Sequence, residues 1–288
     1  HDFNAVLAAE DLVKAFQAAV PFTDYDDLYN KWLYRSIAGE KNITWPGVVK
    51  YFALSSGTTG SPSKRIPVTK QMIRSFQRTT IKQFAATSRL DLSPAFYQKS
   101  FLAVGGSTKL EHVGNHIEGD LSGILKKHTS VVMLPLTKPD PKTAAIKDWN
   151  KKLDKMVEMA PHWDISTVAG IPSWCIMLME RIVEKYQLNN IHEMWPNFEL
   201  YVYGGVYIEP YLKRFEKICG KKVHTLNTYL SSEGYFAYQN RPDTHTMQLL
   251  LNTGIFYEFV PFNTENFDEN GNIHQHAQAL TVDEVAVG

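Results

Sequence analysis

The chain has 288 residues, of which 44% are hydrophobic and 12% aromatic, and its 30 basic and 30 acidic side chains balance. This size and composition are typical of a packed globular protein with one large or two ordinary domains. The balanced charge argues against a nucleic-acid partner, and no apolar run approaches the roughly 20 residues of a membrane span. We therefore expect neither nucleic acid nor a membrane as a partner.

Cysteine usage and the first residues bear on cellular location. The two cysteines, Cys175 and Cys219, are too few for a disulfide framework, and "HDFNAVLAAEDLVKAF" lacks the basic and apolar regions of a secretory signal. We therefore expect a cytoplasmic protein. Cys175 lies among apolar residues of a predicted helix, which favours a core position over the role of a nucleophile.

The first part of the chain begins with helical patterns and then changes to strands. "NAVLAAEDLVKAFQAA", residues 4–19, has apolar residues on one helical face, and a second helix is predicted to end near Gly39. An apolar run from Val48 predicts a strand that ends at Ser55. After a loop, "KRIPV" predicts another extended segment, because a proline disfavours helix at the residue before it. Thr69 is then in position to cap a long helix.

The rest of the chain alternates strands and helices. The predicted strands are "DISTVAGIP", "FELYVYGG" and "KKVHTLNTYLSS", and the helices between them are "SWCIMLMERIVEKYQ", capped by Ser173, and "EPYLKRFEKICG", ended by Gly220. This alternation predicts an α/β fold with a parallel or mixed sheet. The final segments predict an antiparallel hairpin around "DENGN". "TKPDPKT", residues 137–143, is the most loop-like stretch and predicts a division into two lobes.

Ten residues between the first two strands form a candidate phosphate loop. They read "SSGTTGSPSK" and run from Ser55 to Lys64. Small residues let successive backbone amides converge on phosphate oxygens, and the lysine adds a positive charge. The spacing departs from the G-x-x-x-x-G-K-[ST] phosphate loop, and a strand rather than a helix follows. An ordinary surface turn rich in glycine, serine and threonine is the alternative.

A second candidate motif, "TYLSSEG", ends a predicted strand. It combines the aromatic ring of Tyr229, the hydroxyl of Ser232 and the carboxylate of Glu233. Ligands of open α/β sheets collect at the carboxyl ends of strands, and a carboxylate there can hold Mg²⁺ together with nucleotide phosphates. The alternative for Glu233 is a solvated or helix-capping acid.

The predicted strand before this motif ends on two glycines, Gly204 and Gly205, in "YVYGG". Positions without side chains would let the flat face of a nucleotide base approach the backbone closely. Together, the three stretches predict a nucleotide site at the carboxyl edge of a sheet.

Two histidines raise the question of a metal. In "EHVGNH", His112 and His116 are four residues apart, a spacing that on a helix would place both imidazoles on one face for a zinc ion. The glycines within and around the segment instead predict a loop that lines an acyl pocket or has only a structural role. Trp174 and Met177 are further candidates for that pocket, although their predicted helix favours a core position.

These stretches resemble the adenylate-forming superfamily, and more specifically the auxin-responsive Gretchen Hagen family of acyl acid amido synthetases. The likeness spans nearly the whole chain and includes "VPFTDYDDL", "WPNFELYVYGG" and "GIFYEFVPF" around the two motifs. It implies an α/β fold in which residues 1–288 form a large N-terminal adenylation domain, with mixed sheets flanked by helices.

The resemblance also implies roles for particular residues. The family's phosphate loop begins S-S-G-T and ends on a lysine, and its nucleotide motif ends in Ser-Glu four positions after a tyrosine. The implied nucleotide-binding residues are Ser55, Ser56, Gly57, Thr58, Thr59, Gly60, Gly204, Gly205, Tyr229 and Ser232. Lys64 and Glu233 are the implied catalytic residues, and Glu233 is also the implied ligand of Mg²⁺.

The chemistry that the resemblance implies uses ATP and Mg²⁺ as cofactors. The substrates are a small-molecule carboxylic acid and an amine, usually an amino acid. The carboxylate attacks the α-phosphate of ATP to give an acyl adenylate and pyrophosphate, and the amine then attacks the activated carbonyl. Two alternatives stay open: an acyl-CoA ligase of the same superfamily, which differs in the second acceptor, and a non-catalytic nucleotide-binding module.

Two features depart from the family pattern. The position after Tyr229, often small in this motif, is Leu230. The family's Tyr-Arg-x-Gly-Asp motif and its C-terminal lid domain have no counterpart before Gly288. We therefore expect the chain to be the N-terminal part of a longer enzyme.

Overall fold

The computed structural model describes residues 3–55, 63–129, 134–241, 244 and 246–286. The chain divides into two compact units, one combining residues 1–46 with 255–288 and the other comprising residues 47–254. Residues 137–143, where the sequence predicts a division into lobes, lie inside the second unit. The prediction that the whole chain belongs to one adenylation domain stays a prediction.

The first unit is built from short helices. They are α1 (Phe3–Leu7), α2 (Leu12–Ala19), α3 (Tyr25–Leu28) and α4 (Tyr34–Ile37), with a π-helical turn (Tyr29–Leu33) before the last. The single helix predicted for residues 4–19 is in fact two helices. Asp11 accepts a hydrogen bond from the backbone N–H of Lys14 at 3.0 Å and so begins α2 as a separate helix. The predicted terminal hairpin is present as two isolated antiparallel bridges, Phe259 with Leu280 and Phe267 with Ile273.

The second unit holds the strands and the longer helices. Its strands are β1 (Tyr51–Ser55), β2 (Lys64–Val68), β3 (Ser100–Val104), β4 (Glu111–Val113), β5 (His116–Gly119), β6 (Thr137–Lys138), β7 (Ile165–Gly170), β8 (Leu200–Gly204), β9 (His224–Leu230), β10 (Tyr235–Tyr238) and β11 (Gln248–Leu249). Its α-helices are α5 (Lys70–Ala86), α6 (Leu121–Lys127), α7 (Pro141–Ala144), α8 (Trp149–Met159), α9 (Pro172–Lys185) and α10 (Leu212–Ile218). Short 3₁₀ turns cover Thr87–Arg89, Pro94–Gln98, Leu134–Leu136, Ala160–His162, Ile191–Glu193 and Glu209–Tyr211. Within the described ranges, no helix combines the length and apolarity needed to cross a bilayer.

The smaller sheet has the strand order β2, β1, β5, β4. Strand β1 is antiparallel to β2 and parallel to β5, and its first three residues are buried. The two extended segments that the sequence predicts around the loop are therefore the arms of one hairpin, in which Ser55 is opposite Lys64. Thr69 caps the long helix α5 as predicted, because its hydroxyl accepts a hydrogen bond from the backbone N–H of Met72 at 3.1 Å.

The larger sheet has the strand order β11, β10, β9, β8, β7, β3, β6. Strands β6, β3, β7, β8 and β9 are parallel, whereas β10 and β11 add an antiparallel edge. Side chains of α8, α9 and α10 form one buried cluster with those of β3, β7 and β8. The fully buried Trp195 belongs to this cluster, and its indole N–H donates to the carbonyl oxygen of Ala160 at 3.1 Å. These layers form the α/β fold with mixed sheets that the sequence predicts.

Helix α9 differs from the prediction at its start. It begins at Pro172, and its N-cap residue, Ile171, makes no side-chain hydrogen bond to the helix, so the predicted cap by Ser173 is wrong. Proline suits the first helical position because the N–H that it lacks would be unpaired there. Cys175 is fully buried, and burial raises the pKa of its thiol to about 12, which confirms its predicted core position.

Gly170 ends β7 with a φ of +151°, and a Cβ there would overlap the carbonyl oxygen of Val104 on the neighbouring strand β3. We expect Gly170→Ala to lower the free energy of unfolding by about 2 kcal/mol or more, because the two strands would have to separate or strain. Denaturant-induced unfolding measures the change.

The matched control is Gly114→Ala. Gly114 also has a positive φ, but nothing lies within 4 Å of the position of its Cβ. Its substitution carries only the backbone strain, about 1 kcal/mol. Equal losses in the two variants would show that the close approach at Gly170 does not constrain the sheet.

Candidate active site

The carboxyl ends of the parallel strands lie along one edge of the larger sheet. A loop leaves from this edge after each of the five parallel strands, and three of these loops have glycine at their start: Gly105 and Gly106 after β3, Gly170 at the end of β7, and Gly204 with Gly205 at the end of β8. Another of these loops, Ser231 to Glu233, follows β9. Because parallel strands place such loops side by side, this edge is the expected position of a ligand site in an open α/β sheet.

The two predicted glycines after β8 serve different purposes. A Cβ on Gly204 would lie 2.5 Å from the carbonyl oxygen and 2.7 Å from the hydroxyl oxygen of Thr228, so a glycine lets β8 and β9 meet at this point. The Thr228 hydroxyl donates to the carbonyl oxygen of Tyr203 at 2.9 Å, which ties the two strands together. Gly205 has a φ of +80°, which favours glycine, and nothing lies within 4 Å of the position of its Cβ.

Tyr229 and Glu233 both lie at the end of β9 and are exposed. The ring of Tyr229 is 55% exposed and packs against Phe236, with ring centroids 5.0 Å apart and an interplanar angle of 46°, so much of the ring is accessible to a ligand. Ser232 is half-buried beside them. The structure thus brings together the five residues that the sequence predicts for this edge, namely Gly204, Gly205, Tyr229, Ser232 and Glu233.

Ser231 is a residue of this site that the sequence reasoning missed. Its hydroxyl donates to Oε2 of Glu233 at 2.6 Å and accepts a hydrogen bond from the Glu233 backbone N–H at 3.2 Å. The serine therefore orients the carboxylate. The signal was available in the sequence, because a serine two residues before an acid commonly forms such a local turn.

The structure describes the two ends of the predicted phosphate loop. Ser55 ends β1, Lys64 begins β2, and the two residues pair across the hairpin with the lysine exposed. The predicted residues between them, Ser56, Gly57, Thr58, Thr59 and Gly60, lie outside the described residues. The ends of the loop belong to the smaller sheet, whereas Tyr229 belongs to the larger one and Glu233 to the loop after its strand β9.

A cavity of about 500 Å³ lies between the end of β1 and the loop after β3. The sequence reasoning missed most of it, because its wall comes from segments far apart in the chain. Its lining consists of Leu54, Gly106, Ser107, Lys109, Glu111, Glu118, Gly119, Asp120, Ile146, Lys147, Trp149, Lys152 and Trp174. Trp174 lines the cavity and also packs against the hydrophobic core, as its predicted helix favours, whereas Met177, the other pocket candidate, is exposed.

Lys152 supports one wall of this cavity. It is only 2% exposed, and its ammonium donates to the carbonyl oxygens of Gly105 at 2.9 Å, Gly106 at 2.6 Å and Ala144 at 3.0 Å. Burial lowers the pKa of this ammonium to about 8, with a further lowering by Lys126. The lysine therefore clamps the glycine turn after β3 to the end of α7.

Two of the three carboxylates in the wall are neutralised by cations. Glu111 forms an ion pair with Lys147. The buried Glu118 accepts a hydrogen bond from the Nε of Arg65 at 2.7 Å, which holds the pKa of its carboxyl below the usual value. Asp120 is exposed to the cavity, and its carboxylate has no hydrogen-bond donor in the part of the chain that the structure describes.

The possible zinc site at His112 and His116 does not form. The segment predicted to be a loop is the hairpin of β4 and β5, in which His112 is opposite Ile117 and Val113 is opposite His116. Neighbouring residues of a strand point to opposite faces, so the two imidazoles diverge. His116 instead contacts Glu118, with 3.2 Å between its Nε2 and Oε2 of the acid. Across the described ranges, no three metal-ligating side chains cluster.

The donor set at Glu233 fits Mg²⁺ in one particular way. The site offers one exposed carboxylate and serine hydroxyls, which are hard oxygen ligands. Mg²⁺ is commonly held by one or two carboxylates together with substrate phosphates, and it keeps several waters. These residues therefore fit an ion that enters with a nucleotide rather than a closed site built from protein alone.

Comparison with solved structures shows which known fold the chain shares. A GH3.15 acyl acid amido synthetase is similar over 85% of this chain and 52% of its own, with a TM-score of 0.62 and 14% identity. AtGH3.15 acyl acid amido synthetase in complex with 2,4-DB is similar over 86% and 52%, with a TM-score of 0.57 and 14% identity. An open conformation of 2-hydroxyisobutyryl-CoA ligase, in complex with 2-HIB-AMP and CoA, is similar over 86% and 51%, with a TM-score of 0.53 and 13% identity. The chain has the fold of adenylate-forming enzymes and spans about half the length of these structures.

A comparison of the sequence with models of protein families identifies the family. The model of the GH3 family N-terminal domain matches residues 1–153, and the chain belongs to this family. The resemblance identified from the motifs is thereby confirmed. A comparison with curated protein sequences gives no match.

We expect Lys152→Met to lower the free energy of unfolding by about 2 kcal/mol, because the carbonyl oxygens of Gly105 and Gly106 lose a charged donor. Lys151→Met is the matched control, since Lys151 is the preceding residue of α8 and its side chain is exposed. Urea unfolding of both variants measures the difference. A Lys152→Met variant as stable as Lys151→Met would show that the clamp contributes nothing to folding.

Proposed function

We propose that the chain carries the nucleotide-binding part of a ligase that activates a carboxylic acid with ATP and transfers the acyl group to an amine. The observation that carries this proposal is the arrangement at the carboxyl edge of the larger sheet. There, a glycine backbone surface, an exposed tyrosine ring and an oriented carboxylate lie side by side on neighbouring strands, β8 and β9. Membership of the GH3 family supports it.

The residues at this edge suit a nucleotide base. The exposed part of the Tyr229 ring offers a stacking surface, and the ring is supported by its contact with Phe236. The turn at Gly204 and Gly205 has no side chain that would block a flat ring from approaching the main chain. Ser232 lies three residues after Tyr229, and we assign its hydroxyl to hydrogen bonds with polar atoms of the same nucleotide. We assign adenine to the space between Tyr229 and the glycine turn.

Charged groups at the two motifs suit the phosphates. ATP supplies the adenylyl group that activates the acid. Lys64 would place a positive charge at the mouth of the loop, and the loop residues Ser55, Ser56, Gly57, Thr58, Thr59 and Gly60 would add hydroxyl and amide donors. Glu233, oriented by Ser231, would hold Mg²⁺ beside the phosphates. Preorganised groups of this kind act by stabilising the charge that develops as pyrophosphate leaves.

The second acceptor separates the proposed amide synthetase from an acyl-CoA ligase. The similar structures include an acyl acid amido synthetase and a ligase with bound CoA, so the fold admits both reactions. The family match favours the amine, and a small-molecule acid such as the 2,4-DB of one similar structure is the expected acyl donor class. A nucleotide-binding module without chemistry is the third candidate.

We also propose a cytoplasmic location, where ATP is available and where Cys175 and Cys219 would remain reduced.

The reaction is tested by carboxylate-dependent exchange of labelled pyrophosphate into ATP, with the full-length protein and a panel of aromatic, aliphatic and hydroxylated acids. Exchange with any acid supports adenylate formation, and product analysis with amino acids or coenzyme A then separates the two acceptors. MgATP binding without exchange for any acid would favour the non-catalytic module.

We expect Glu233→Gln to reduce the exchange rate by about 10²- to 10³-fold, because the variant loses a charged group beside the departing pyrophosphate. The matched control is Glu216→Gln, at an exposed position on α10. The control should exchange at the unsubstituted rate. Near-normal exchange by Glu233→Gln would remove Glu233 from the site.

We expect Tyr229→Ala to raise the Kd for MgATP by about tenfold, since stacking on an aromatic ring contributes about 1–3 kcal/mol per base. The control is Tyr97→Ala. Its ring is also exposed, but it lies before β3, at the opposite end of the parallel strands. Isothermal titration calorimetry measures both constants, and equal Kd values for the two variants would contradict the adenine assignment.

A further inference from the structure

A second cavity, of about 550 Å³, lies at the end of the larger sheet opposite to the candidate active site. Its walls come from the 3₁₀ turn Thr87–Arg89 and from the segment between β10 and β11. Because β10 is antiparallel to β9, this segment leaves the sheet away from Tyr229 and Glu233. The polar side chains that line the cavity are Arg89, Asn240, Arg241, Thr244, Thr246 and Gln248.

The charge of this cavity is positive. Its lining includes two arginines and, among the described residues, no carboxylate. Neither Arg89 nor Arg241 takes part in an ion pair within the described ranges. Arg89 donates from Nη1 to the carbonyl oxygen of Asn240 at 3.2 Å, which draws its guanidinium over the cavity wall and leaves its other N–H groups for a ligand. Two guanidiniums without a counter-ion favour an anionic ligand.

The loop that carries Arg241 is held in shape by one buried amide. Gln239 is 4% exposed, and its Nε2 donates to the carbonyl oxygens of Arg241 at 3.0 Å and Thr244 at 2.7 Å. Its Oε1 accepts a hydrogen bond from the backbone N–H of Asn227 in β9 at 3.1 Å. The glutamine thus fixes the loop at two points and ties it to the sheet. A wall that is ordered before a ligand arrives loses less conformational entropy on binding.

The backbone at Arg89 is fixed as well. The next residue, Leu90, is buried in a cluster with Phe96, Leu200 and Leu226, of which Leu200 begins β8. Both arginines therefore extend from backbone that is anchored to the same sheet. Their guanidiniums can act together on one ligand group.

The rest of the wall suits a hydroxylated ligand. The hydroxyl oxygens of Thr244 and Thr246 are 2.7 Å apart, and the Gln248 Oε1 accepts a hydrogen bond from the side chain of Asn240, which leaves the Gln248 amino group for a ligand. No aromatic ring lines the cavity in the part of the chain that the structure describes, so a base would find no stacking surface. A volume of about 550 Å³ is in the range of small-molecule sites and exceeds what a lone phosphate ion fills.

We propose that this cavity binds a phosphate monoester of a small sugar or polyol. Arg89 and Arg241 pair with the phosphate, because the planar guanidinium matches two oxygens of a phosphate at once. Thr244, Thr246 and Gln248 form hydrogen bonds with hydroxyl groups of the ligand body. The proposal is independent of the reaction at the opposite edge, since none of these residues belongs to the candidate active site.

Three probes separate the contributions of charge and body. They are glucose 6-phosphate, glucose and inorganic phosphate, titrated calorimetrically into the full-length protein without ATP. We expect glucose 6-phosphate to bind at least about tenfold more tightly than either fragment, because only it engages both the arginines and the hydroxyl-binding wall. Affinity equal to that of glucose or of inorganic phosphate, or no binding, would overturn the proposal.

Variants place the ligand in the cavity. We expect Arg89→Met and Arg241→Met each to weaken glucose 6-phosphate binding by at least about tenfold, because each loses charged hydrogen bonds to the phosphate. The matched control is Arg78→Met, since Arg78 is an exposed arginine of α5 that does not line the cavity. Its affinity should equal that of the unsubstituted protein. Equal affinity in all three variants would remove the ligand from this cavity and overturn the proposal.

Thermal unfolding checks that the variants fold. Both substituted arginines are exposed, so we expect little change in the unfolding temperature. If a variant does not fold, the comparison of the three probes on the unsubstituted protein decides alone.

Binding at the nucleotide edge is the remaining explanation, and competition tests it. Saturating MgATP should leave the affinity for glucose 6-phosphate unchanged, and so should Lys64→Met, which removes the charge of the proposed phosphate loop. Displacement by MgATP, or loss of affinity in Lys64→Met, would overturn the second site. The outcome is separate from the proposed function: pyrophosphate exchange without glucose 6-phosphate binding would retain the ligase and reject this site, and the reverse result would do the opposite.

Discussion

The candidate site depends on how closely neighbouring backbones approach at the carboxyl edge of the parallel strands. At Gly170 a side chain would overlap the Val104 carbonyl, and at Gly204 it would lie 2.5 Å from the Thr228 carbonyl. Both obstacles are backbone atoms of the adjacent strand, which cannot rotate away as a side chain could. Glycine at these positions therefore permits the pairing of β3 with β7 and of β8 with β9 at their ends. That pairing sets where the following loops begin and so where Tyr229 and Glu233 lie.

Glycine-rich edges have few side chains of their own to hold them, and the structure compensates with Lys152. Its ammonium reaches from α8 to the carbonyls of Gly105 and Gly106. A buried ammonium is costly, as its lowered pKa indicates, unless hydrogen bonds replace its hydration. Three carbonyl acceptors do so without a carboxylate partner. As a result, Asp120 is not consumed by an ion pair with this lysine and remains available to the cavity.

The parts of the fold that the sequence predicts are those with local causes. The Thr69 cap, the strands around the phosphate loop and the strand that carries Tyr229 each follow from short patterns, and each is present. The cavity could not be predicted, because Trp149 and Trp174 lie on different helices, α8 and α9, and no local pattern indicates that their rings are in contact. Lys152 has the sequence character of a surface residue, and nothing local indicates that its acceptors lie on a distant turn. The spacing of His112 and His116 was misleading for a related reason. Residues four positions apart share a face on a helix, but His112 and His116 lie on the two strands of a hairpin.

The exposure of Glu233 has an electrostatic explanation. A preformed metal site needs several anionic ligands close together, and their mutual repulsion would destabilise the fold when no ion is bound. Here one carboxylate is held by Ser231 at 2.6 Å, and it faces solvent. On the proposed function, such an acid has little affinity for a free ion and gains its partner only when phosphates arrive with it. On that proposal, the metal is selected by the nucleotide that carries it.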